Sequence, residues 1–180
     1  FKPYSFPITD DYFGKIVDPL GRPYEAGVEI KNIKEERYID ALPTKIDTRE
    51  RVTESLLTGV SVVDLMVPLG KGQREMVLGD RKVGKTAFLL QTLMTQAQEG
   101  TVCIYAGIGK KKMEAKMVEG FIKEKGISDR VISIFSFASD PLGLIYITPY
   151  CAMTLAEYYR DNGHNVLVIL DDLTTHAKYF

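Results

Sequence analysis

The sequence predicts an α/β fold built on a mostly parallel sheet with helices on both faces. Three observations predict it. Apolar β-type runs, TVCIYAGIG, RVISIFSFA and NVLVIL, alternate with segments of helical periodicity. Glycines at 126 and 163 close those helical segments. A glycine-rich loop, GDRKVGKT from Gly79 to Thr86, sits between an apolar run and a helix.

The elements follow in order. FGKIV, ending at Val17, is a short strand candidate, and DPLGRP from Asp18 to Pro23 is dense in turn formers, so the first third reads as irregular or small β structure. REMVLG, from Arg74 to Gly79, is an apolar run that leads into the loop as a strand. Lys85 to Ala97 carries helix formers with apolar residues at Ala87, Leu90, Leu93, Met94 and Ala97. TVCIYAGIG is the continuous kind of strand that is buried on both faces. Lys110 to Lys125 spaces Met113, Met117 and Phe121 four apart among lysines and glutamates, which gives an amphipathic helix with those three on its apolar face. Pro141 to Asn162 repeats Ala152, Leu155, Ala156 and Tyr159 at helical spacing, and Pro149 either kinks that helix or opens a new one. NVLVIL ends at Asp171 and Asp172. The chain stops soon after this last strand, so the sheet is expected to lack an edge and a covering helix, as in part of a longer protein.

Composition narrows the function classes. Lys and Arg number 23 against 24 Asp and Glu, a net charge of -1, which speaks against a surface made to bind nucleic acid or anionic lipid. No apolar run reaches the ~20 residues of a membrane span, so any membrane association is expected only indirectly, through partners. Cys103 and Cys151 lie inside apolar runs and read as buried free thiols. His164 and His176 stand alone, outside any metal-ligand spacing.

Gly79 and Gly84-Lys85-Thr86 fit G-x-x-x-x-G-K-[ST], with a strand candidate before and a helix after. Glycines let backbone N–H groups curl around an anion, and the helix start adds the positive end of its dipole. The expected phosphate cradle comprises Gly79, Arg81, Lys82, Val83, Gly84, Lys85, Thr86 and Ala87. Lys85 reaches the β- and γ-phosphates, and the Thr86 hydroxyl serves Mg²⁺. Arg81 touches phosphate or forms a structural ion pair. A second carboxylate for the metal is expected at a strand end, and Asp171, first after the apolar run, is the choice. Asp172 reads equally as a further metal ligand or as a helix N-cap or solvated acid with no such role.

TGVSVVDLMVPLGKGQRE running into MVLGDRKVGKT, with CIYAGIGKKK, TPY, YYRDNG and LVILDDL downstream, resembles the α subunits of the F-type rotary ATP synthases, or a divergent α-like subunit of an F-type-like ATPase. The likeness covers nearly the whole chain. It implies a RecA-like P-loop domain preceded by the end of a small β-barrel, with the barrel end at 1–17, an entry segment at 18–73 and the first half of the nucleotide domain at 74–180. It implies ATP or ADP with Mg²⁺ as ligand, catalytic β subunits as neighbours in an alternating hexameric ring, a central rotary shaft, and a peripheral place on the cytoplasmic or equivalent organellar face of a membrane. Proton-coupled ATP synthesis or hydrolysis is the implied activity of the whole complex.

In catalytic β subunits of that family a glutamate follows the strand after the P-loop helix and activates water. Here that place reads GIGKKK, and Lys110 is cationic at neutral pH. Binding without turnover is therefore the expected role, with the chain's own enzymatic status left open. α subunits of the family resemble G-D-R-Q-T-G-K-T and I-G-Q-K-R, with glutamines where this chain has Lys82 and Lys110, so both lysines are candidate phosphate contacts. A catalytic relative, such as a type III export ATPase or a Rho-like ring helicase, is the alternative, as is an F-type-like ATPase with another job.

Overall fold

A computed structural model describes residues 4–42, 45, 47, 49–80 and 82–179. Its centre is a four-stranded parallel sheet in the order β2 (Ile16–Val17), β7 (Val131–Phe137), β6 (Val102–Lys110), β8 (Val166–Asp171). Period-two alternation divides β6 between two cores. Val102, Ile104 and Ala106 face one of them, with Ile132 and Ile134 of β7 and the apolar face of α4 (Leu142–Asp161). Cys103 and Tyr105 face the other, with Leu90, Leu93 and Ala97 of α2 (Lys85–Gln98) and Ala115, Val118 and Ile122 of α3 (Lys112–Glu124). The α/β expectation, with helices on both faces, holds.

Smaller units pack around the sheet. β1 (Ser5–Ile8) and β3 (Glu35–Tyr38) form an antiparallel pair, and Phe6, Ile8 and Tyr12 join the α4-side core. Arg37 bridges to Asp161 on α4 at 2.8 Å. Ile16 and Val17, assigned by resemblance to the end of a barrel, add the edge strand beside β7. A second antiparallel pair, β4 (Ser55–Leu56) and β5 (Leu69–Gly70), brackets the short helix α1 (Ser61–Met66). Gln96 of α2 donates to the Leu57 carbonyl at 2.9 Å and anchors this unit.

Three elements differ from the sequence reading. Arg74 to Gly79 forms no strand, with Met76 67% and Leu78 81% exposed. No described strand lies beside it, and an extended segment without ladder partners leaves its backbone groups to water. On α3 the buried stripe is Ala115, Val118 and Ile122, while Met113 and Met117 are 81% and 52% exposed and Phe121 packs half-buried against the same core. Two apolar stripes of similar spacing coexist on this helix, and the smaller side chains allow closer approach to the sheet. Finally, α4 runs unbroken through Pro149, which is buried within it. Thr148 stays satisfied there by donating to the Leu144 carbonyl at 2.7 Å.

Candidate functional site

The chain direction brings two clusters to one end of the sheet. α2 ends at Gln98 and turns through Gly100 directly into β6 at Val102, so the α2 N-terminus lies toward the far end of β6. That end carries Lys110, and the parallel neighbour β8 ends there at Asp171. The glycine-rich loop and these two residues therefore share the C-terminal edge of the sheet, where open α/β folds place ligands.

The loop is exposed and bonded to itself. The Lys85 ammonium donates to the carbonyls of Gly79 and Asp80, the latter at 2.6 Å. Gly84 has φ of 97° and precedes the helix, a conformation that favours glycine, and Lys82 takes φ of 64°. The first helical bond runs from the Phe88 N–H to the Gly84 carbonyl at 3.0 Å, which leaves the N–H groups of Lys85, Thr86 and Ala87 without helical acceptors. Val83 is exposed, and Thr86 is half-buried at the first turn. Arg81 lies outside the described residues. The backbone donors and the lysine are thus gathered where an anion can be held, with the Lys85 ammonium resting on carbonyls in its place.

The other cluster is partnered within the chain and buried at Lys110 and Asp171, with Asp172 half-exposed. The Lys110 ammonium lies 2.8 Å from Asp171 Oδ1 and 3.4 Å from Asp172 Oδ2. The Tyr105 hydroxyl donates to Asp171 Oδ2 at 2.6 Å. Local structure explains the convergence. Tyr105, Gly107 and Asp171 occupy the same face, with Gly107 directly opposite Asp171 in the ladder. Lacking a side chain, Gly107 leaves the space that the Phe135 ring partly fills; a Cβ there would lie 2.2 Å from that ring. A register shift between Gly107 and Lys110 then re-aims the end of β6.

Charge at this cluster is settled internally. Burial would lower the Lys110 pKa, but the hydrogen bond and charge of Asp171, followed by Asp172 and Glu114, reverse this and raise it. Burial, reinforced by Asp171, pushes the Tyr105 phenol far above its usual range, so it remains a donor. Burial opposes ionisation of Asp172, yet the Thr175 N–H and Lys110 hold its carboxyl below the ordinary value. Asp172 is indeed an N-cap, accepting from the Thr175 N–H at 2.6 Å at the start of α5 (Leu173–Ala177).

The sequence-predicted residues thus fall into two groups. Gly79, Lys82, Val83, Gly84, Lys85, Thr86 and Ala87 belong to the open loop. Lys110 and Asp171 belong to the buried pair, where Lys110, expected at phosphate, is bonded to the carboxylate expected at the metal. Thr86 offers a hydroxyl to a divalent cation, while each Asp171 oxygen accepts one bond, from Lys110 or from Tyr105, and keeps a further lone pair. Among the described residues no group of three or more His, Cys, Asp or Glu converges to hold a metal. Sequence reasoning missed Tyr105, although a hydroxyl within an apolar strand, two residues before a glycine, is a visible signal.

Outside the site, both cysteines are free and buried, and burial pushes each thiol up to about 12. His176 stacks on Tyr146 with ring centroids 5.4 Å apart. Among the described residues no helix is long and apolar enough to cross a membrane.

Comparison with known proteins gives consistent matches. The profile of the ATP synthase alpha/beta family, nucleotide-binding domain, matches residues 59–179. The chain is 36% identical over 174 residues to an ATP synthase subunit alpha of Lawsonia intracellularis, covering 97% of this chain and 34% of that protein. It is 38% identical over 179 residues to an ATP synthase subunit alpha 1 of Chlorobium luteolum, again covering 97% of this chain and 34% of the relative. The chain therefore spans about a third of the length of these curated relatives.

Proposed function

We infer, from the premise that this chain belongs to the ATP synthase alpha/beta family and carries that family's nucleotide-binding domain over residues 59–179, that it holds a nucleotide without turning it over. ATP or ADP fits the cradle of Gly79, Lys82, Val83, Gly84, Lys85, Thr86 and Ala87, with Arg81 as a further phosphate contact. On binding, Lys85 exchanges the carbonyls of Gly79 and Asp80 for the β- and γ-phosphates. The exchange replaces neutral acceptors by charged ones, so it favours the bound state. Mg²⁺, where it accompanies the nucleotide, supplies charge neutralisation, and Thr86 is the side chain suited to it.

One observation carries the noncatalytic reading. The position at the end of β6 that would need a proton acceptor holds an ammonium, paired with Asp171 at 2.8 Å. An ammonium has donors and no acceptor, so it cannot take a proton from water. The nearest carboxylate, Asp171, already accepts bonds from that ammonium and from Tyr105.

Extended to the whole protein, this reading makes the chain a subunit of a rotary F-type ATP synthase or ATPase. It alternates with catalytic β subunits in a hexameric ring around a central shaft, and meets the membrane through a separate sector on the cytoplasmic or equivalent organellar face. Two relatives that bear the name of an alpha subunit support this placement. The test uses the full-length protein. ATP is expected to survive gel filtration on the wild type and to be lost from Lys85→Ala. The isolated subunit is expected to turn over below ~0.1 per second, about a hundredfold under the common enzyme median. Turnover near ~10 per second by the isolated subunit would overturn the noncatalytic assignment.

A further inference from the structure

A nucleoside triphosphate brings several negative charges to a site, and a bare carboxylate beside it adds another. A divalent cation ordinarily relieves that repulsion by sitting between them on oxygen ligands with free lone pairs. At Asp171 part of that relief is already in place. Its Oδ1 accepts from Lys110 at 2.8 Å and its Oδ2 from Tyr105 at 2.6 Å. The Lys110 side chain is only 12% exposed, and its ammonium also lies 3.4 Å from Asp172. Swinging it toward the phosphates would strip the buried Asp171 carboxylate of its charged partner. The backbone sets the pair, because Lys110 ends β6 after a register shift and Asp171 lies opposite Gly107 in the ladder.

We propose that the Lys110 ammonium is the resident counter-ion of Asp171, so that this site holds a nucleoside triphosphate with little dependence on Mg²⁺. The proposal rests on the reading of the glycine-rich loop as a nucleotide cradle. Lys110 neutralises the carboxylate before any ligand arrives, and Tyr105 positions the carboxylate for that bond. Removing the metal then costs only its direct contacts with the phosphates and Thr86. Lys110 acts here through Asp171 rather than by touching the nucleotide.

The experiment measures binding of trinitrophenyl-ATP by fluorescence to the full-length protein, once with Mg²⁺ and once with EDTA. The wild-type Kd is expected to change by less than about fivefold between the two conditions. Lys110→Gln, which frees the Asp171 charge, is expected to weaken binding in EDTA by more than about tenfold relative to Mg²⁺. A wild-type ratio above about fivefold overturns the proposal, as does a Lys110→Gln ratio equal to that of the wild type. Should Lys110→Gln fail to fold, the wild-type ratio decides alone, below the threshold supporting and above it overturning. Tight but Mg²⁺-dependent binding sinks only this inference, whereas no binding in either condition sinks the cradle reading with it.

Discussion

The two clusters at the sheet edge carry similar chemistry and opposite structure. Around Lys110, the ammonium and the carboxylates of Asp171 and Asp172 are partnered within the chain, and the Lys110 and Asp171 side chains are each only 12% exposed. Around Lys85 the backbone is exposed, and the ammonium makes do with the carbonyls of its own loop. A lysine whose partner is a buried carboxylate belongs to the framework. A lysine that falls back on neutral carbonyls is available for a stronger acceptor. The comparison separates a prebuilt wall from a cradle that its ligand completes.

The sharpest way to break this distinction is to remove the acid from the wall. Asp171→Ala leaves the Lys110 ammonium buried with only Asp172 at 3.4 Å and the Tyr105 hydroxyl without its acceptor. Orphaning one partner of a buried ion pair costs about 3–5 kcal/mol. Chemical denaturation of the full-length protein should show that loss as a lower midpoint with unchanged slope. A change under about 1 kcal/mol would mean that water reaches Lys110 freely and that the wall is no more rigid than the loop.

Gly107→Ala tests the same wall through packing. The added Cβ would meet the Phe135 ring at 2.2 Å, so either the ring or the strand must move. Overpacking of this kind costs about 1–3 kcal/mol. Phe135→Leu in the same chain should recover part of it, and the double-variant denaturation curve measures how much. Full additivity would show that the clash is relieved elsewhere.

How far these features could be read in advance depends on the range of the interactions that create them. β6, β7, β8, α2 and α4 were legible because continuous apolar runs and helical repeats are local signals. The face of α3 was not, because Met113 and Met117, four apart, and Ala115, Val118 and Ile122, three then four apart, both fit a helical stripe, and only the approach to the sheet selects between them. Arg74 to Gly79 has the composition of a strand but no described neighbour, and a strand exists only with one. At the site, the loop was visible as a motif. The bond between Lys110 and Asp171 was not, since it depends on the parallel register of β6 and β8 and on the shift after Gly107.

The smallest expected change in stability belongs to the residue on which binding depends most. Among the described residues Lys85 donates to Gly79 and Asp80, both in its own exposed loop, so Lys85→Ala removes no described hydrogen bond to the sheet. Alanine also suits a helix start slightly better in propensity, while the lost ammonium stood where the helix dipole disfavours it. The unfolding free energy without nucleotide should therefore stay within about 0.5 kcal/mol of the wild type. With nucleotide present the two proteins should part, because only the wild type gains the stabilisation that a bound ligand confers. Parallel thermal melts with and without ATP measure both differences. A Lys85→Ala protein that melted far lower without ligand would place this lysine in the framework, and the loop would then be a second wall rather than a cradle.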